Sequence, residues 1–252
     1  MSRKHAGVYW THNDGDDGVL YAIHSDGGTI AKFKIDGVDF RDWEDIANDG
    51  DGNLYLADIG NNQRERKHMT IYRVAEPDPS RQPPLPGTLK VDATWKVGFP
   101  DRPFNCESLF IHEGYGYVIS KLDGGEHRGE RAGVYRFPLS AGKKHNVLER
   151  VCELPIVEPV TAADLSADGK TLAILSQHAL SLFQIDGDVR KAADAAPRAF
   201  PIPPIQAEGC AFNPQGVLLI AESGEIVQVT FDRAPAVATQ STPSTRPALP
   251  AR

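Results

Sequence analysis

The 252-residue chain is short of helical periodicity, cysteine and long apolar runs, and each shortage excludes something. Its three cysteines, Cys106, Cys152 and Cys210, lie far apart, and no C-x-x-C occurs. That sets aside a zinc knuckle and a thioredoxin-like redox motif. Each cysteine sits in a strand-like apolar context ("FNCESLF", "ERVCELP", "EGCAFNP"), which suits a buried thiol acting as a small hydrophobe. No apolar run approaches the roughly 18–20 residues that cross a bilayer as a helix, so no membrane span is expected. The opening "MSRKHAGVYW" carries basic residues but no apolar h-region and does not read as a secretory signal. The expectation is a cytoplasmic chain as given, with an exported parent that has lost its signal as the alternative. Positive charge is also short: 27 Lys and Arg against 34 Asp and Glu leave a formal charge of −7. Nucleic acid demands a basic face and is not an expected partner. There is no G-x-S-x-G elbow, no Gly-rich phosphate loop, and no H-x-x-x-H or H-x-H pair. Serine-hydrolase and nucleotide-cofactor chemistry therefore have no motif to stand on.

What the chain has is turns and repetition. Gly (23) and Pro (19) are both abundant. Four segments share one pattern: "WEDIANDGDGNLYLADIG", "CESLFIHEGYGYVISKLDG", "AADLSADGKTLAILSQ" and "AEGCAFNPQGVLLIAESG". Each opens on an acidic residue, alternates apolar residues, turns at glycine and continues into a strongly apolar strand. Setting Ile46, Leu109, Leu165 and Cys210 in register aligns Glu44, Glu107, Ala163 and Glu208, spaced 63, 56 and 45 residues apart. Propeller blades repeat at about 40–50 residues. Third strands follow at "MTIYRVAE", "GVYRFPL", "ALSLFQID" and "EIVQVTF", and fourth strands at "VDATWKVGF", "LERVCELPI" and "PRAFPIP". Four short antiparallel strands per repeat is the blade pattern. The N-terminus supplies second, third and fourth strands ("GVYWTHND", "GVLYAIHS", "TIAKFKIDG") but no first. The expected fold is an all-β propeller of five blades over residues 1–232, its first blade lacking the inner strand. Six blades, or four and a partial one, are the alternatives. "RKAADAA" is the one helix-friendly stretch, and residues 233–252, rich in Pro, Ser, Thr and Ala, are expected to be a disordered tail.

In a propeller the inner-strand entrances and the exits of the second strands share one face. That places Glu44, Glu107, Asp164 and Glu208 with Asn13, Asp14, Asp58, Lys121, Gln177 and Glu222 around one channel mouth. The loops 60–68 and 122–131 rise on the same face and bring Asn61, Asn62, Arg64, His127 and Arg128 to its rim. Converging carboxylates must be protonated, paired with Lys or Arg, or bridged by a cation. Oxygen donors of this kind suit calcium, and magnesium less well, far better than zinc. The plainer expectation is that each Glu clasps backbone N–H groups of the neighbouring blade. "DGDGN" (49–53) has calcium-loop spacing, but other repeats put "ADGK" and "NPQG" there, so it reads as a tight turn.

The motifs "WTHNDGDDGVLYAI", "DWEDIA" and "LADIGNN" resemble an uncharacterised bacterial β-propeller family with W-x-H-N-D and D-W-E-D-I-A signatures. The likeness covers roughly residues 7–232. More distantly, one acidic residue per blade resembles the calcium-dependent propeller hydrolases: paraoxonase-type lactonases, esterase-like phytases and calcium-activated nucleotidases. The resemblance implies metal-assisted hydrolysis of a small ester, lactone or phosphoester. Glu44, Glu107, Glu208 and Asn13 would be the ligands and Asp14 or His12 the base. Ala163 in the fourth repeat departs from that pattern. The competing expectation is a non-catalytic, monomeric propeller presenting its rim to a protein or glycan.

Overall fold

A computed structural model describes residues 1–13, 18–81, 87–122, 129–140 and 145–231. Asp14, His127, Arg128 and the expected tail lie outside the described residues. The fold is all-β and propeller-like, with strongly curled sheets and no α-helix among the described residues. The helix-friendly stretch forms a single 3-10 turn, Val189–Ala193, capped by Asp188, whose side chain accepts from the Arg190 N–H.

Three strands open the chain: β1 (Tyr9–Thr11), β2 (Val19–Ile23) and β3 (Thr29–Asp36). The second unit comprises β4 (Trp43–Asn48), β5 (Asn53–Asp58), β6 (Met69–Ala75) and β7 (Gly87–Gly98). The third has β8 (Asn105–His112), β9 (Tyr115–Lys121), β10 (Gly133–Pro138), the short β11 (His145–Val147) and β12 (Glu149–Glu153). The fourth has β13 (Val160–Leu165), β14 (Thr171–Ser176), β15 (Ala179–Gln184) and β16 (Arg198–Pro201). The last has β17 (Ala207–Asn213), β18 (Gly216–Ala221) and β19 (Ile226–Thr230). Within the second to fifth units the strands, β11 excepted, pair antiparallel in chain order, as the repeats predict.

The repeat pattern does not foresee the role of β7. Its first residues run parallel to β3, from Phe33 opposite Gly87 to Asp36 opposite Lys90. Its body pairs antiparallel with β6, and its end pairs parallel with β11. One twelve-residue strand thus ties three units together at their outer edge and merges the first two into one sheet.

The inner strands β4, β8, β13 and β17 pack side by side in that order. Between successive units lie apolar layers: Trp43 with Leu20 and Phe33, Trp95 with Leu109 and Phe137, Ile174 with Ile119 and Phe183, and Leu180 with Leu219. A last layer, Tyr9 and Ile23 against Leu218, joins the final unit to the first. It holds only three fully buried side chains, so this seam is the weakest joint among the described residues. The Asn213 amide bridges it by donating to the Tyr9 hydroxyl at 3.0 Å.

Residues 1–8 do not form a strand. They cross the hairpin end of the channel, where the Asn48 amide donates to Met1 O and Arg3 donates to Leu165 O. Ser2 Oγ and the Trp10 indole N–H both donate to Glu76.

Candidate functional site

Every inner strand carries a β-bulge near its entrance. The pairing skips from Trp43 to Asp45, from Cys106 to Leu109, from Val160 to Ala162, and from Ala207 to Gly209. The residues within these bulges include Glu44, Glu107, Thr161 and Glu208. A bulge inserts one unpaired residue and re-aims its side chain, which is why alternation alone misplaces it. The position equivalent to Glu44 in the fourth unit is therefore Thr161, not Ala163 as the sequence alignment implied. Thr161 turns its hydroxyl onto Ala207 O at 2.9 Å and brings no charge.

The three glutamates are not alike. Glu107 receives the Lys121 ammonium, and both side chains are largely buried, 7% and 16% exposed. The Asn105 amide also donates to Glu107, at 3.3 Å. Glu44 shares a hydrogen bond with the Asp42 carboxyl. Burial first, then the charges of Glu107 and Asp42, push its pKa to about 9. Glu208 shares a hydrogen bond with Glu222 and is pushed to about 7 by burial, Glu107 and Glu222. Two carboxyl pairs, Glu44 with Asp42 and Glu208 with Glu222, thus lie beside one carboxylate–ammonium pair. Glu44 and Glu208 are both held well above the usual carboxylate range, Glu44 further than Glu208.

Both pairs open onto a cavity of about 550 Å³ between the first, second and last units. His12, Asn13, Glu44, Glu208 and Glu222 line its polar side, and Tyr9, Trp10, Trp43, Ile23, Leu218 and Ile226 its apolar side. His12 stacks on Trp43, with ring centroids 4.3 Å apart and planes within 3°, and Trp43 stacks on Phe40 at 4.4 Å. His12 is therefore held as a wall of the cavity. Asn13 points its amide at the Tyr21 hydroxyl at 3.1 Å.

The backbone clasp expected of the glutamates is made by aspartates one layer deeper. Asp45 accepts from Ile46 N at 2.7 Å on its own strand and from Leu109 N at 2.6 Å on the next inner strand. Asp164 repeats this with Leu165 N and Phe212 N, both at 2.8 Å. Asp164 is thus an inter-strand tie and not a rim group. Burial raises the pKa of both, that of Asp45 to about 7.

The G-N-N motif is scaffold for the site. Asp58, 2% exposed, accepts from the N–H groups of Arg41 and Asp42 and pairs with Arg66 at 3.1 Å. Asn61, 4% exposed, receives Arg66 N on its side-chain oxygen and donates its amide to Phe104 O, while its own N–H donates to Asn105 Oδ1. Asn62 accepts from the Asn105 amide at 2.9 Å. The loop therefore fixes Asp42 on one side and Asn105, hence Glu107, on the other. Gly60 completes it: a Cβ there would lie 2.2 Å from Asp42 Cγ and from Glu44 Oε1. Arg64 sits in the turn of this loop with φ 55, and exposed Gln177 ends its hairpin outside the cavity lining. Asp42, Asn105 and Thr161 are absent from the sequence-based set. Only Asp42 had a signal there, two positions before Glu44.

Asp49 of "DGDGN" is satisfied by Asp51 N, Asn53 N, the Asn53 amide and the Tyr55 hydroxyl, which makes it a turn. The cysteines form no disulfide, and burial pushes Cys106 and Cys152 up to about 12 and 11, leaving inert thiols. No described helix is long and apolar enough to cross a membrane.

No family model matches the chain, and no curated protein does. Solved structures that align with it include the computationally designed Ika4 protein, 9% identical with a TM-score of 0.41, covering 79% of this chain and 97% of that one. Another is a provisionally assigned 6-phosphogluconolactonase from Bacteroides uniformis, 13% identical with a TM-score of 0.44. That match covers 85% of this chain and 60% of the other's length. At such scores neither bears on chemistry here.

Proposed function

We propose that the chain is a five-bladed β-propeller whose first blade lacks its inner strand, and that its acidic mouth hydrolyses a small uncharged ester or lactone by paired carboxyl catalysis. One observation carries this: Glu44 and Glu208, both raised in proton affinity by burial and by neighbouring carboxyls, open onto one cavity with aromatic walls. Environments that separate the proton affinities of neighbouring groups assign the acid and the base. Ionised Glu208 takes a proton from water as the water oxygen bonds to the acyl carbon. Glu44 then protonates the departing alkoxide as the acyl–oxygen bond breaks, so ester and water become acid and alcohol. Burial first, then Glu107, then Asp42 or Glu222, raise the proton affinities of Glu44 and Glu208. The excess of carboxyls repels an anionic phosphoester, which narrows the substrate to a neutral one.

Calcium would take about six to eight oxygen ligands. Glu44, Glu107, Glu208 and Asn13 are hard donors but do not fit one ion as they stand. Lys121 holds Glu107, Asn13 is turned to Tyr21, and among the described residues no three His, Cys, Asp or Glu side chains form a group that could hold a metal.

A panel of lactones and aryl or alkyl esters, assayed from pH 5 to 10, tests the proposal. Turnover should follow a bell between the two carboxyl affinities, and Glu44→Gln or Glu208→Gln should lower kcat by about 10²–10⁴. Chelator should leave the rate unchanged. Binding without turnover would favour the scaffold alternative, and loss of activity to chelator would favour calcium.

A further inference from the structure

A cavity lies between β17 and β4 beside the edge of β1, and we infer that this cavity docks an extended peptide strand patterned like the chain's own inner strands. The inference does not depend on hydrolysis. It starts from the ring. The strands β4, β8, β13 and β17 pack in sequence around the channel, and the cavity lies between β17 and β4. Its apolar wall, Ile23, Leu218 and Ile226, continues the layer that closes the seam.

Strand β1 presents the edge that such a peptide would join. It pairs with β2 and, among the described residues, with no other strand. The equivalent strands of the other units, β5, β9, β14 and β18, are six or seven residues long, and each pairs with an inner strand. Strand β1 is three residues long. A free edge of N–H and C=O groups is a template for strand addition, with affinity from the main chain and specificity from alternate side chains.

The chain itself indicates what fits. Its inner strands read "WEDIAN", "NCESLFIH", "VTAADL" and "AEGCAFN": a polar residue near the entrance, then small and apolar residues in alternation. A fifth strand of this kind would set apolar side chains on Ile23, Leu218 and Ile226. It would also bring its polar residue to the mouth beside Glu44 and Glu208.

The probe is an N-acetylated, C-amidated peptide copying residues 160–166, with a control carrying two adjacent prolines at its centre. Proline removes the ladder donor without lengthening the chain. Full-length protein is followed by amide hydrogen exchange and thermal melting. The copied peptide should slow exchange at Tyr9–Thr11 at least tenfold. At about one hundred times its Kd it should raise Tm by about 5–10 °C. The proline peptide should do neither, and Ile226→Arg should weaken the effect at least tenfold. Equal effects of both peptides, or no protection at β1, would overturn the inference. So would β1 protection that grows with protein concentration as light scattering reports a dimer, since a second copy would then fill the gap. Ester turnover is read separately, so failure of the hydrolytic proposal leaves this result unchanged.

Discussion

Replacing Gly60 by alanine introduces one methyl at the crowded contact between the G-N-N loop and the acidic pair. Its carbon would lie 2.2 Å from Asp42 Cγ, 2.2 Å from Glu44 Oε1 and 2.3 Å from Asp42 Oδ2. Real methyl contacts do not fall below 3 Å. The backbone at Gly60 has no left-handed φ, so the whole penalty is steric. The carboxyls have little room to retreat. The Asp42 N–H is held by Asp58, the Asp42 carbonyl accepts from Gly60 N at 3.1 Å, and Glu44 is tied to Asp42. Overpacking of this kind destabilises by about 1–3 kcal/mol, which for a chain of this size lowers Tm by roughly 3–9 °C. The assay is a double-mutant cycle of thermal melts with Gly60→Ala, Asp42→Ala and both. Removing the Asp42 carboxyl clears two of the three contacts, so the double variant should recover at least about 0.5 kcal/mol relative to the sum of the singles. Strict additivity, or a Gly60→Ala protein as stable as the parent, would refute the packing of Asp42 and Glu44 over the loop.

Other outcomes follow from the same site. Raised carboxyl affinities mean that the folded chain binds protons the unfolded chain has released, so stability should fall as pH rises. For Glu44 the window runs from its ordinary value of 4.5 to about 9, with a slope of up to about 1.4 kcal/mol per pH unit. Melts from pH 5 to 9 should show it, and Glu44→Gln should flatten it. Lys121→Met should destabilise by about 3 kcal/mol at pH 7, because it leaves the Glu107 carboxylate buried without its ammonium. Adding Glu107→Gln should restore most of the loss in urea titrations. Asp45→Ala removes two charge-assisted bonds to backbone N–H groups, one of them to the next inner strand, and should destabilise by about 2–4 kcal/mol. An effect confined to a few tenths of a kcal/mol in denaturant melts would argue against the clasp.

The strands were legible in the sequence because alternation and glycine turns mark them locally. The three described strands of the first unit were legible in the same way. The parallel use of β7 by three units was not legible, since no local pattern distinguishes a bridging outer strand from an ordinary one. Counting set Glu44, Glu107 and Glu208 at equivalent positions, and each lies in a bulge of its strand. Counting failed at the fourth unit because its bulge lies further from the hairpin, at Thr161 rather than Ala163, a shift that alternation does not record. The difference between Glu44 and Asp45, neighbours in the chain, was also hidden. One re-aims at the bulge towards Asp42, while the other ties two strands together. Asn61 and Asp58 looked like rim groups because loops are usually exposed, yet both are buried by contacts with Arg66 and Asn105, which sequence spacing does not reveal.

The central claim is that the mouth holds a protonated Glu44 beside a Glu208 poised near neutrality. Carbon-13 NMR of side-chain carboxyls, with the two signals assigned from Glu44→Gln and Glu208→Gln, reads both protonation states directly across a pH titration. Glu44 should titrate near 9 and Glu208 near 7, with Asp42→Asn lowering the first and Glu222→Gln the second. Two carboxyls titrating together in the ordinary range near 4.5, indifferent to those changes, would contradict it.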